Sequence, residues 1–144
     1  MFPTDVEEHA DVFVVECSSF RLNWLTSFRA EAAVWLNLAP DHQNWHASPG
    51  TYAAAKARIF DGCAVAVINA DDPLVRAMPR AGQRVISFGL EDAGADYTLV
   101  SAPEPVLCCR GEALLPVSAM RLQGMHNVAN ALAALAMCEA LGLP

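Results

Sequence analysis

Apolar residues gather in short blocks separated by polar or Pro- and Gly-bearing turns, and the blocks change in kind along the chain. Four of them, "VFVVE" (12–16), "AAVWLNL" (32–38), "CAVAVIN" (63–69) and "RVISFGL" (84–90), are near-continuous apolar runs of strand length. That is the pattern of strands covered on both faces of a parallel sheet. Between the first two lies "CSSFRLNWLTSF", a polar turn and short amphipathic segment. After the second, a polar loop (39–50) leads into a helix over 51–60, with Ser48 placed as N-cap, Pro49 suited to the first helical position and Gly62 ending it. "ADDP" opens a short helix reaching about Met78. From Asp96 the runs shorten: "DYTLV", "PVLCCR" and "EALLPVSAM" are broken by Pro and Gly at hairpin spacing and read as antiparallel strands. An Ala- and Leu-rich helix ended by Gly142 closes the chain. The order predicts an α/β fold, a mostly parallel sheet with crossover helices and a small antiparallel β appendage.

Composition narrows the classes. The 144 residues suit one domain, and 54% hydrophobic against 17% charged requires a large buried interior. No apolar run reaches membrane-spanning length, so that interior is protein, not lipid. A formal charge of −7 without a basic patch argues against nucleic acid as a partner. The five cysteines lack paired metal spacing and read as reduced, small core residues of a cytoplasmic protein.

Some polar residues stand where chemistry would need them. Glu16 ends the first predicted strand, on the sheet edge where α/β folds bind ligands, and a carboxylate there suits Mg²⁺; a solvated charge is the plainer reading. Asp41 and His42 follow the second strand on the same edge, and an Asp beside a His can orient the ring for a metal. Lys56, in the first turns of the predicted helix, is the single lysine among nine basic residues. A lysine can lose its proton and take up CO₂ as a carbamate, which an arginine cannot. Asn127 and Asn130 share one face of the last helix and could read a planar base or serve its start. No "GxxxxGK[ST]" occurs, so these residues include no P-loop.

Taken together, "VVECSSFRL" (14–22), "NLAPDHQNWHASPGTYAAAKARIF" (37–60), "VINADDP" (67–73), "SFGL" (87–90) and "GMHNVANALAALAMCEALGLP" (124–144) resemble the P-loop-like central domain of the Mur ligase family, in order and spacing, over nearly the whole chain. The resemblance implies an ATP-dependent amide ligase of peptidoglycan synthesis that works through an acyl phosphate. "SSF" at 18–20 favours the members that add D-glutamate to UDP-N-acetylmuramoyl-L-alanine. It further implies that Glu16 holds the Mg²⁺ bridging the ATP phosphates, and that His42 and a carbamylated Lys56 hold a second Mg²⁺. Asn127 and Asn130 would face the adenine, with Ser18 and His42 by the muramoyl substrate. Three positions depart from the family's pattern: Arg21 for Gln, Ala39 for Thr or Ser and Asn44 for Asp.

The resemblance makes residues 1–144 a partial central domain. The uridine-binding domain, the P-loop strand and the C-terminal domain fall outside it, so this stretch alone is expected to be inactive and the full-length ligase monomeric. Two alternatives stay open: a degenerate nucleotide- or partner-binding module without catalysis, and another Mur-type or folylpolyglutamate ligase.

Overall fold

A computed structural model describes residues 10–38, 48–101 and 103–144. Six strands form one sheet in chain order: β1 (Ala32–Trp35), β2 (Val65–Asn69), β3 (Arg84–Gly89), β4 (Tyr97–Val100), β5 (Val106–Cys109) and β6 (Glu112–Pro116). β1 to β4 run parallel, while β5 and β6 alternate in direction. The expected α/β sheet with an antiparallel end is therefore present, with one correction and one extension.

The first concerns residues 12–16, which form no strand. Val12, Phe13, Val14 and Val15 are exposed, Val14 at 96%. An apolar run becomes a strand only where a neighbour takes up its backbone N–H and C=O groups, and among the described residues none pairs with this one. The second concerns β4, which is antiparallel to β5 as expected and also pairs in parallel with β3, so the appendage continues the main sheet. Only Phe88↔Tyr97 and Gly89↔Thr98 are paired. β4 starts beside the end of β3 and runs on past it. The connection need not traverse a strand's length, and so needs no crossover helix.

Helices cover both faces. α2 (Pro49–Ala57), extended by a 3₁₀ turn over Arg58–Phe60, and α3 (Pro73–Arg76) lie on one side. There Ala53, Ala57, Phe60 and Val75 pack on Ala33, Trp35, Ala66 and Ile68. α4 (Met125–Ala140) lies on the other, placing Val128, Leu132, Ala133 and Ala136 on Val65, Val67, Ile86, Phe88 and Leu107. Val65 to Ile68 thus alternate between two buried faces, which is why β2 reads as an unbroken apolar run.

Local chemistry sets the helix ends. Ser48 Oγ accepts the Thr51 N–H while Thr51 Oγ1 accepts the Ser48 N–H, a reciprocal cap with Pro49 behind it. α2 accordingly starts before the expected residue 51. At the end of α4, the Leu143 N–H donates to the Cys138 carbonyl and the Gly142 N–H to that of Glu139, with Gly142 at φ +66°. This turn needs a left-handed residue, which glycine supplies without strain. α1 (Ser19–Trp24) is short and packs against α2.

Candidate functional site

The carboxyl ends of β1, β2 and β3 share one edge of the sheet, and the turn Asn69–Asp72 stitches them together. The Asp71 carboxylate accepts the backbone N–H groups of Leu90 (2.6 Å), Glu91 (3.2 Å) and Asp92 (2.8 Å), wrapping the turn after β3. Asp72 Oδ1 caps α3 through the N–H groups of Leu74 and Val75, while its Oδ2 accepts the Leu38 N–H at 2.9 Å. Asn69 Nδ2 donates to the Leu36 carbonyl at 2.9 Å, and its Oδ1 accepts the Asp71 N–H. The sequence pointed to a turn opening a short helix here, as Asp72 before Pro73 signals, but not to the long-range contacts of Asn69, Asp71 and Asp72.

The Asp71 clamp needs Gly89. A Cβ on Gly89 would lie 2.8 Å from Asp71 Oδ1. Gly89→Ala is therefore expected to lower stability by about 1–3 kcal/mol. It should do so much less in an Asp71→Ala background, where the obstructing carboxylate is gone. A double-mutant cycle from denaturant melts measures this, and additive effects would refute the clamp.

The predicted site residues fall as follows. Glu16 is exposed, in irregular chain leading to α1. Ser18 is the N-cap of α1, its Oγ accepting the Arg21 N–H at 3.3 Å, and the Arg21 side chain is exposed. Lys56 is half-buried in the last turn of α2, not the first turns as expected, because the α-helix gives way to a 3₁₀ turn after Ala57. Its ammonium lies 5.6 Å from the centroid of the Tyr52 ring. A cation in a last turn also complements the helix dipole. Asn127 donates from Nδ2 to the Gln123 carbonyl at 2.8 Å, while Asn130 is exposed one turn on, beyond reach of the helix start. His42 falls outside the described residues, as do Ala39, Asp41, Asn44 and His46.

α1 packs against α2, so the stretch bearing Glu16 and Ser18 leads into the helix pair that carries Lys56. Among the described residues no three of His, Cys, Asp and Glu gather as metal ligands. Glu16 would offer one hard divalent cation an oxygen group, and His42 with a Lys56 carbamate would offer a second an imidazole and an oxygen group, donors that fit such cations by their chemistry.

The cysteines carry no disulfide. Burial, then the Glu16 carboxylate, pushes the Cys17 thiol up, and burial does the same for Cys63. Both stay protonated, as packing residues do. No described helix is long and apolar enough to cross a membrane.

A second polar cluster ties the last turn of α4 to the sheet. The Glu139 carboxylate receives Arg110 through two hydrogen bonds of 3.0 Å, Arg84 at 2.8 Å and the Tyr97 hydroxyl at 2.8 Å. Arg110 in turn donates to Asp96, whose other oxygen accepts from both N–H and Oγ of Ser87. The Arg110 bonds hold the Glu139 carboxyl below the usual carboxylate range, against an opposing effect of burial. Burial first, then the hydrogen bond to Glu139, pushes the Tyr97 hydroxyl up.

A parallel sheet with helices on both faces and a polar turn at its carboxyl edge is the frame of a nucleotide-using α/β domain. The description "Mur ligase middle domain" matches residues 1–138, and the chain belongs to the Mur ligase family. It is 47% identical over 133 residues to the UDP-N-acetylmuramoylalanine--D-glutamate ligase of Thiobacillus denitrificans, covering 92% of this chain and 28% of that protein. The ligase of the same name from Chromobacterium violaceum is 48% identical over 134 residues, 93% of this chain and 29% of that protein. The chain thus spans about three tenths of the length of these relatives. Among solved structures, a UDP-N-acetylmuramoyl-L-alanyl-D-glutamate--2,6-diaminopimelate ligase superposes with a TM-score of 0.76 at 30% identity, over 89% of this chain and 29% of that one. MurF from Acinetobacter baumannii superposes at 0.65 and 23% identity, over 78% of this chain and 26% of that one, a likeness of fold alone.

Proposed function

We propose that this chain is middle-domain sequence of a ligase that joins D-glutamate to UDP-N-acetylmuramoyl-L-alanine. The carrying observation is the identity of 47% and 48%, along 92% and 93% of the chain, to two ligases of that name. In the reaction ATP phosphorylates the terminal carboxylate of the muramoyl substrate. The amino group of D-glutamate then attacks the acyl carbon, forming the amide and expelling phosphate.

Glu16 and the pair His42 and Lys56, the latter as a carbamate, are the residues proposed to hold Mg²⁺. When bound, the cations neutralise the charge that gathers as two anions meet. The exposed Glu16 carboxylate supports this reading, as does the packing of α1 on the helix that bears Lys56. Asn130, free of any capping role, and Asn127 are assigned to the adenine. Ser18 caps α1 through its Oγ, and its half-buried side chain at the start of that helix is assigned to the muramoyl substrate.

The test is phosphate release by the intact protein with MgATP. It should require both UDP-N-acetylmuramoyl-L-alanine and D-glutamate. Turnover with a folate and glutamate instead would overturn the reading. ATP binding with no turnover on any amino acid would favour a degenerate binding module.

A further inference from the structure

We propose that Arg58 is a positioning residue, which holds α1, and with it Ser18, against the helical run that carries Lys56. The inference rests on the muramoyl-substrate reading above. α1 has little of its own to fix it in place. Its six residues are too few for a helix to persist alone. Only Ser19 and Leu22 of it are buried, and a cleft lined by Leu22, Leu25, Phe28 and Arg58 opens beside it. Arg58 supplies what packing does not. It stands two residues beyond Lys56, where α2 passes into its 3₁₀ turn. Its Nη1 donates to the Asn23 carbonyl at 2.7 Å and its Nη2 to the Leu25 carbonyl at 2.5 Å. These carbonyls belong to the last turn and the C-cap of α1, which have no acceptor role inside the helix.

The chemistry calls for arginine. A guanidinium presents its two terminal nitrogens in a fixed fork, one to each carbonyl. Its positive charge also suits the end of a helix. A lysine ammonium is a single point on a flexible stem and has no such fork. Nor does an ion pair consume the guanidinium: Asp61 lies 3.9 Å from Nε, which leaves both terminal nitrogens to α1. At the other end of the helix, Ser18 Oγ accepts the Arg21 N–H and the Ser18 carbonyl accepts that of Leu22. One short hydrogen-bonded helix thus runs from Arg58 to Ser18. Where that helix is free to shift, only a fraction of molecules hold Ser18 in place, and affinity for what Ser18 contacts falls by that fraction. Losing a hydrogen bond to a charged group typically shifts such an equilibrium by about tenfold or more.

The test uses Arg58→Met in the intact protein, which keeps an apolar stem and removes every donor. Binding of UDP-N-acetylmuramoyl-L-alanine and of ATP is measured by calorimetry, and amide hydrogen exchange is followed at Leu22 and Leu25. The expected result is muramoyl-substrate affinity weakened by about tenfold. Exchange at Leu22 and Leu25 should quicken. ATP affinity should stay unchanged, because Asn127 and Asn130 lie on α4, across the sheet from α2. A general loss of stability would weaken both ligands together, and that outcome overturns the inference, as does unchanged substrate affinity in a folded variant. Should Arg58→Met not fold, Arg58→Lys, which keeps the charge without the fork, is judged by the same two affinities. A wild type that binds ATP but no UDP-N-acetylmuramoyl-L-alanine would sink the substrate assignment and this inference with it. A wild type that binds both, beside an Arg58→Met variant that binds both equally well, sinks the inference alone.

Discussion

Replacing Lys56 with arginine in the intact protein should lower turnover in the proposed ligation by about 10²–10³, the usual cost of removing a preorganised charge partner. Folding stability should change by less than about 0.5 kcal/mol. The surroundings of Lys56 make this a sharp comparison. It sits in the last turn of α2, half-buried, with its ammonium over the Tyr52 ring. Arginine satisfies both features: it suits a helix C-terminus and stacks on an aromatic face at least as well. If packing were the reason for a lysine here, arginine would be harmless. If the residue must become a carbamate, arginine is the worst replacement, because it stays cationic where a divalent cation is to sit. Lys56→Ala should then regain part of its activity when a small carboxylate is added to the buffer. Full activity of the arginine variant would show that the single lysine is an accident of composition.

The second large effect concerns Glu139. Its carboxyl is held below the ordinary range by Arg110, so the stabilisation it provides is complete above the unfolded carboxylate value of about 4.3 and is lost as pH falls through the folded value. Tyr97 has the opposite sign. Its hydroxyl is pushed up, so its contribution is complete below the ordinary tyrosine value of about 10 and is lost as pH rises beyond it. Thermal melts from pH 3 to 11 should therefore fall at both ends. Glu139→Gln should flatten the acid limb. Glu139→Ala should leave the hydroxyl of the buried Tyr97 without its acceptor at a cost of about 1–3 kcal/mol. The exposed arginines contribute little to that figure, since solvent screens them. Melts of Glu139→Ala indistinguishable from wild type across the range would refute the role given to this cluster.

Much of this architecture is legible in the residues because it is set locally. β2 and β3 announce themselves as unbroken apolar runs, α2 by Ser48 and Pro49, and the end of α4 by Gly142. What escaped depends on partners distant in sequence. "VFVVE" has the composition of a strand, yet pairing, not composition, makes one. The parallel pairing of β4 with β3 depends on where β3 stops. Lys56 moved from the first turns of its helix to the last because the α-helix gives way at Arg58 to a 3₁₀ turn. The Glu139 partners Arg110, Tyr97 and Arg84 lie 29, 42 and 55 residues away, a separation no motif encodes. Of the candidate site, Glu16 and Asn130 are exposed as ligand-facing groups need to be, whereas Ser18 and Asn127 each have a local structural task the sequence only hinted at.

The two faces of the sheet also close at different moments of synthesis. Every buried member of the cluster under α2 and α3 lies between Ala33 and Val75, so that face can consolidate as soon as Val75 and, shortly after it, Met78 have left the ribosome. The other face gathers residues from Val65 to Leu107 but is sealed by Val128, Leu132, Ala133 and Ala136 of α4. At about 5–20 residues per second, translation leaves an interval of seconds in which Val65, Val67, Ile86 and Phe88 are made but uncovered. A ribosome stalled ahead of α4 would present a half-roofed sheet with one finished side and one adhesive one. That interval, more than the equilibrium stability of the finished domain, is where a nascent chain of this design is exposed to chaperones and to its neighbours.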